Sequence, residues 1–256
     1  MKFVVLGSGD AAPHARRSSS GYWLETESGS ILLDCSASTI YRMAQENLDW
    51  GNLDAIWISH FHLDHCGGLA PFLFGTKHAE QMRERRKPLR IFGACGLNDL
   101  INAFDRANNY NLFKQPFPVE VVEVEPLETF EILPRTEAVA FSTPHTEESL
   151  AIRIKNANDA TIVYTSDTGF SKSLATFAGA ADLLVMECSF FKDKPIQTHL
   201  ELGEAMFLAR YSKAKRVVLT HFYAEWDTVD FRAEVAKFAP DVEVIEAKDG
   251  LRLEII

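Results

Sequence analysis

Short apolar runs set off by turn-forming residues recur along the whole chain. Their length and their content of β-branched and aromatic residues predict strands over Phe3–Leu6, Gly21–Leu24, Ile31–Asp34, Ala55–Ser59, Leu89–Phe92 and Val119–Val124 in the first half. In the second half they predict strands over Ala138–Ser142, Ala151–Ile154, Thr161–Thr165, Leu183–Met186, Val217–Thr220, Val242–Glu246 and Leu251–Ile255. Apolar stripes at helical spacing fall in three places: Ile40, Met43, Ala44 and Leu48; Leu97, Leu100, Ile101 and Phe104; and Leu202, Ala205, Met206 and Ala209. Strands with helices interspersed in both halves predict two central sheets packed face to face and covered by helices. No short repeat and no low-complexity linker interrupts the pattern, so residues 1–256 read as a single domain.

Several of these runs end in a histidine or an acid. The densest case is SHFHLDHCGGL, Ser59 to Leu69, where His60, His62, Asp64 and His65 fall within six positions directly after Ala55–Ile58. Imidazole and carboxylate are ligands of divalent transition metals. Residues two apart on an extended or looping backbone project to the same side. Asp64 and His65, where the chain is expected to turn into a helix at Gly67-Gly68, should point away from His60 and His62. That arrangement suits two adjacent metals better than one. His145, Asp167 and His221 each end an apolar run of their own.

An HxHxDH motif after a strand resembles the signature of the metallo-β-lactamase superfamily. The opening KFVVLGSGDAAP, the LLDC at Leu32 to Cys35 and the LTHF at Leu219 to Phe222 are similar to its ribonuclease Z-like branch of metal-dependent hydrolases. The resemblance implies an α/β fold, the four-layer αββα metallo-β-lactamase-type sandwich, with the metal site where strands of both sheets end. It also implies a ligand set: one metal on His60, His62 and His145, a second on Asp64, His65 and His221, and Asp167 bridging them. Zinc is the default ion, and the same donors accept manganese or iron. Asp34 matches a carboxylate that hydrogen-bonds near a ligand histidine; capping the segment after it is the structural alternative. Glu187, in MECSF, and His199, in THLELGEA, loosely match a hydrogen-bonded dyad in which the histidine protonates a leaving oxygen.

Two divalent ions would bring the pKa of a bridging water to roughly 7, with Asp64 orienting the resulting hydroxide. The expected function is a metal-dependent phosphodiesterase acting on small or flexible diesters, including short oligonucleotides. Hydrolysis of a lactone, thioester or β-lactam needs no protonating dyad, so Glu187 and His199 tilt the choice to phosphate. Iron-dependent redox chemistry is a further alternative; the flavo-diiron pattern replaces the second histidine with glutamate, and here His62 is intact. Processing of tRNA 3′ ends is the headline activity of the branch. Members that perform it carry a Gly/Pro-rich arm, in one common form between the positions of His145 and Asp167. That interval is too short here to hold one, containing two predicted strands and a turn at Asn156–Asp159.

Charge points the same way. With 26 basic against 36 acidic residues and a net charge of −10, the chain lacks the cations that broad binding to tRNA or anionic membranes requires. The basic stretch Lys77 to Arg90 reads as a solvated face. Four scattered cysteines without a CxxC pair fit a reducing cytoplasm. No run suggests a signal or membrane span, and a homo-oligomer is compatible with the pattern. Gly7-Ser8-Gly9-Asp10-Ala11-Ala12 satisfies the dinucleotide fingerprint GxGxxA, but Pro13, His14 and the polar run to Ser20 do not continue as a helix. The segment reads as a tight loop at the floor of the site, with His14 near enough to be tested for substrate contact.

Overall fold

The structure, a computed structural model, describes residues 1–255. Strands are numbered along the chain. The first half supplies β1 (Lys2–Gly7), β2 (Gly21–Thr26), β3 (Gly29–Leu33), β4 (Ala55–Ile58), β5 (Leu89–Gly93) and β6 (Val119–Glu123). The second supplies β7 (Thr129–Leu133), β8 (Thr136–Ser142), β9 (Leu150–Lys155), β10 (Thr161–Tyr164), β11 (Leu183–Glu187), β12 (Arg216–Thr220) and β13 (Glu243–Glu246). The last strand, β14 (Arg252–Glu254), returns to the edge of the first sheet, antiparallel to β1. The sheet orders are β14-β1-β2-β3-β4-β5-β6 and β13-β12-β11-β10-β9-β8-β7. Helices α1 (Thr39–Gln45), α2 (Leu63–Cys66), α3 (Leu69–Thr76), α4 (Glu80–Arg83) and α5 (Leu97–Arg106) belong to the first half. Helices α6 (Lys172–Phe177), α7 (Leu202–Ser212) and α8 (Phe231–Ala236) belong to the second. This is the αββα sandwich of the metallo-β-lactamase fold.

Strand alternation explains the layers. Phe3, Val5, Tyr22, Leu24, Ile31, Leu33 and Trp57 face the second sheet, where they join Ile152, Ile154 and Ile162 in one core. The residues between them, Val4, Leu6, Trp23, Leu32, Ile56 and Ile58, face the other way, onto Met43 of α1, Phe72 and Leu73 of α3 and Ile101 of α5. Both faces of these strands are covered, so they read as unbroken apolar runs. Strands β3 to β6 run parallel, as do β10 to β13. Their carboxyl ends therefore all open at the same kind of rim.

Helices α4, α6 and α8 were not predicted, and three further features depart from the sequence reading. Strand β7 was not expected: half-exposed and at a sheet edge, TFEIL lacks the apolar density of the other strands. Helix α3 escaped because Leu69–Thr76 contains Pro71 and Gly75, yet Pro71 falls in the first turn, where its missing N–H costs nothing. The third concerns the metal motif. The helix expected at Gly67-Gly68 instead begins at Leu63, after an extended His62, so Asp64 and His65 lie in its first turn. The two glycines serve close packing: a Cβ on Gly68 would lie 2.3 Å from the Ser36 carbonyl oxygen. Cys35 donates to the carbonyl of His65 and Gly68 to that of Cys35, locking the motif against the end of β3.

Candidate metal centre

Most proposed site residues lie at, or just beyond, a strand end; Asp64 and His65 lie in α2 and His199 in the loop ahead of α7. Asp34 follows β3 and Ser59-His60 follow β4; His145 comes after β8, Asp167 after β10, Glu187 ends β11 and His221 follows β12. Three positions at these ends are left-handed without being glycine: Asp34 (φ 59°), Ser166 (φ 58°) and His221 (φ 61°). Such conformations cost of order 1–3 kcal/mol each and persist only where surrounding contacts dictate them. The loops are also packed backbone to backbone. Gly169 donates to the Pro144 carbonyl, and a Cβ there would meet the Gln197 carbonyl at 2.3 Å.

The side chains expected from sequence converge into two groups that share one member. His60, His62, His145 and Asp167 form one; Asp64, His65, Asp167 and His221 form the other, and within each group the candidate ligand atoms lie within 4.8 Å of one another. The Oδ2 atom of Asp167 lies 3.3 Å from Nε2 of both His65 and His221, and 3.8 Å from Nε2 of both His60 and His145. Asp64 Oδ2 lies 3.4 Å from His65 Nε2 and 3.5 Å from His221 Nε2.

What lies behind each ring decides what its inner nitrogen can do. His65 Nδ1 is 2.7 Å from Asp34 Oδ2, and His145 Nδ1 is 2.9 Å from the Thr198 carbonyl oxygen. Both partners only accept, so each Nδ1 carries a hydrogen and Nε2 is the nitrogen left facing inward to bind a metal or a proton. Ser59 Oγ donates to Asp34, so it accepts from His60 Nδ1; Ser189 Oγ donates to Glu187, so it accepts from His221 Nδ1. This is the outer support that metal-binding imidazoles characteristically have.

Whether a metal fits follows from the inner atoms. Nε2 of His65 and of His221 is buried and without a hydrogen-bond partner. His62 Nδ1 lies 3.1 Å from both His60 Nε2 and His145 Nε2, and one nitrogen cannot satisfy two neighbours whose hydrogens already point away. Lone pairs facing one another and two carboxylates repel unless a cation sits among them. The electrostatics agree. Burial, helped by His65, pushes His60 down to about 2, and burial likewise lowers His145. Against burial, Asp167 holds His221 up at about 9, and Asp167 and Asp34 hold His65 well above its ordinary value, so without an ion a proton on each ring supplies the positive charge that a metal would replace. Asp64 and Asp167 are held low, against burial, by His65 and His221. The donor set therefore fits divalent metal.

Asp34 turns inward and does not cap α1, whose start has no side-chain cap. It accepts from Ser59 N, Ser59 Oγ and His65, and from the hydroxyl of Tyr164 at 2.6 Å. His199 Nδ1 lies 2.8 Å from Glu187 Oε1. Glu187 also accepts from Thr168 N, Ser189 N, Ser189 Oγ and Leu200 N, which saturates its lone pairs. Although Glu187, His199 and His221 form a third cluster of metal-ligand type, Glu187 has no capacity left for an ion. His62, Asp64, Asp167, His199, His221 and Tyr223 line a common cavity of about 590 Å³. Sequence reasoning missed Ser59, Tyr164, Ser189 and Tyr223. The serines carry no pattern, and the two tyrosines read as ordinary strand or loop aromatics.

Other expectations resolve differently. The GxGxxA segment is a loop, bridged through Gly9 to Ser19 and Phe222, and its Ala11 lines the cavity. His14 is occupied with holding that loop: Nε2 lies 2.8 Å from Asp227, and Nδ1 accepts from the backbone of Arg16 and Arg17. The Lys77–Arg90 stretch is not simply a solvated face. Arg85 is buried and donates to the carbonyls of Gly51, Lys87 and Pro88, and Lys87 pairs with Asp54. Cys66 and Cys188 are buried neighbours of site residues, and burial pushes both thiols up. No helix among the described residues is long and apolar enough to cross a membrane.

Fold and site together define a ribonuclease Z-like metallo-hydrolase of the metallo-β-lactamase superfamily. Within it, residues 1–245 match the model for the Anti-Pycsar protein Apyc1, and the chain belongs to that family. It is 28% identical to the Ribonuclease Z of Nitrosopumilus maritimus, with 100% of each chain covered. It is 27% identical to the Probable metallo-hydrolase YhfI of Bacillus subtilis, with 98% of each covered. The crystal structure of YhfI superposes with a TM-score of 0.80 at 25% identity over 99% of both chains. The short form of human tRNase Z superposes with a TM-score of 0.81 at 24% identity over 100% of both, a likeness of fold.

Tyr164→Phe tests the Asp34 hub. The charge-assisted bond lost is worth about 1.5–3 kcal/mol, so the urea midpoint should fall with little change in slope. An unaltered midpoint would show that Asp34 does not depend on Tyr164.

Proposed function

We propose that this protein is a dinuclear metal-dependent phosphodiesterase that cleaves small or flexible phosphodiesters, the whole chain acting as one hydrolase domain. His60, His62 and His145 hold one divalent ion, Asp64, His65 and His221 the other, and Asp167 both. Zinc suits this donor set, as do manganese and iron. Ions bound there lower the pKa of water to roughly 7 and neutralise charge on the phosphoryl oxygens. Asp64, on the cavity wall, accepts a hydrogen bond from the attacking water and aims it. Glu187 holds the hydrogen on His199 Nδ1 inward, so that Nε2 faces the cavity and delivers a proton to the departing alkoxide.

The observation carrying this reading is the buried Glu187–His199 pair on the wall of the same cavity as the metal cluster. A lactone, thioester or β-lactam does not need that dedicated proton donor. His199→Ala should leave metal content intact and slow alkyl phosphodiesters about 10²–10⁴-fold. Bis-p-nitrophenyl phosphate, whose leaving group is stable as an anion, should lose far less. Equal losses on both would remove His199 from the role of acid.

Metal content is checked independently of turnover. Protein saturated with zinc or manganese should approach two equivalents by elemental analysis. A plateau at one under excess metal would contradict the dinuclear assignment. Asp64→Ala should abolish turnover, because it removes both a metal-holding carboxylate and the group that aims the water.

Small diesters are favoured over tRNA by charge and by length. Between His145 and Asp167 the chain holds only β9, a turn and β10. The N. maritimus Ribonuclease Z aligns over 307 positions against the 256 residues of this chain, so about 50 of its positions have no counterpart here. YhfI aligns over 253 positions with 98% of each chain covered, leaving no comparable excess. Cyclic nucleotides and bis-p-nitrophenyl phosphate should therefore be cleaved at moderate salt where a tRNA precursor is not. Efficient, specific removal of the precursor's 3′ trailer in moderate salt would reverse the preference.

A further inference from the structure

The cavity around the candidate metal centre is poor in hydrogen-bond donors. Among the described residues that line it there is no lysine or arginine; its polar groups are mainly carboxylates and imidazoles. With metal bound, the inner nitrogens of His62 and His221 would be engaged as ligands and could donate no hydrogen bond. A phosphodiester brings two non-bridging oxygens, and whatever the ions do not take must find a neutral donor in the wall. Two hydroxyl-bearing residues line it, Ser19 and Tyr223.

Tyr223 is the better built of the two. Its position is set by His221, two residues earlier, and by its backbone N–H, which donates to the Ser189 carbonyl at 3.2 Å. Phe190 stacks on its ring with centroids 4.7 Å apart and an interplanar angle of 28°. The rings of His199 and His221 lie 6.3 Å away, each steeply inclined to it. One ring face is thus taken by Phe190. Packing alone would be served equally by phenylalanine, yet the chain carries a phenol here, on the wall of the cavity that holds the metal-type cluster. A protonated hydroxyl on this wall is a donor.

We propose that Tyr223 is a substrate-contacting residue whose hydroxyl donates a hydrogen bond to a non-bridging oxygen of the bound phosphoryl group. The proposal rests on the phosphodiesterase reading and adds to it the group that orients the phosphate opposite the metals. It assigns the hydroxyl rather than the ring as the working part, because Phe190 already covers the ring.

The test compares Tyr223→Phe with Tyr223→Ala in metal-loaded protein. Inorganic phosphate binding is measured by calorimetry, and kcat/KM is measured on bis-p-nitrophenyl phosphate and a 3′,5′-cyclic nucleotide. Tyr223→Phe should keep its metal content and unfolding midpoint, weaken phosphate about 10- to 100-fold and lower kcat/KM by a similar factor. Normal phosphate affinity and normal kcat/KM in Tyr223→Phe, with losses only in Tyr223→Ala, would overturn the proposal and reduce Tyr223 to a packing role. If the wild-type protein cleaves no diester, the phosphodiesterase reading fails by itself. The calorimetric comparison still decides whether the hydroxyl holds a phosphate.

Discussion

One carboxylate oxygen, Asp167 Oδ2, lies within 3.3 to 3.8 Å of four imidazole nitrogens, and the architecture is arranged around keeping it there. His60 and His65 come from the end of the first sheet; Asp167, His145 and His221 come from the second. Inward lone pairs and two carboxylates cannot be packed together in a buried place without cationic compensation. Divalent metal held by these residues would remove the repulsion and tie the two sheets together. Metal binding and the mutual position of the sheets are thus one equilibrium.

The cost of this arrangement is visible in the backbone. Asp34, Ser166 and His221 adopt left-handed conformations that β-carbons disfavour, and each sits where a strand gives way to a site loop. What holds them is a second ring of contacts. Tyr164 and Ser59 fix Asp34, Asp34 fixes His65, and Ser189 joins His221 to Glu187. Loop carbonyls of Thr198 and Pro144 take the remaining hydrogens, from His145 and Gly169. Rings held this way from behind lose little freedom when their inner nitrogens bind, which favours tight and geometrically strict ligation.

The same cavity wall separates two tasks that a phosphodiesterase must perform. In the proposed reaction, attack would come from the side bearing Asp64 and Asp167. Departure would fall on the side bearing His199, whose ring stacks over His221 with centroids 5.4 Å apart. Lys194 braces the second side, donating to the His199 carbonyl at 3.0 Å while paired with Glu204 of α7. Glu204 also completes the capping box that starts α7, so the helix and the catalytic loop share one anchor. The chain's net charge of −10 disfavours long polyanions, in line with the small diesters proposed as substrates.

Most of the strands, the three principal helical stripes and the seven converging imidazoles and carboxylates could be read from the chain alone. The central strands are buried on two faces and so appear as unbroken apolar runs, and most metal-type residues fall at or just after the end of such a run. Local pattern could not reveal β7, a half-exposed edge strand whose identity depends on pairing with β8. Nor could it place the start of α2, because an extended His62 followed at once by helix is dictated by contacts with Cys35 and Ser36, far off in sequence. Residue types and their spacing determined which groups carry chemistry here. Only the tertiary structure decided which nitrogen of each imidazole faces inward, that Glu187 is saturated by its donors, and that Ser189 and Tyr223 belong to the site. Those outcomes depend on hydrogen-bond partners and ring stacking brought together from distant segments, and no periodicity along a chain encodes them.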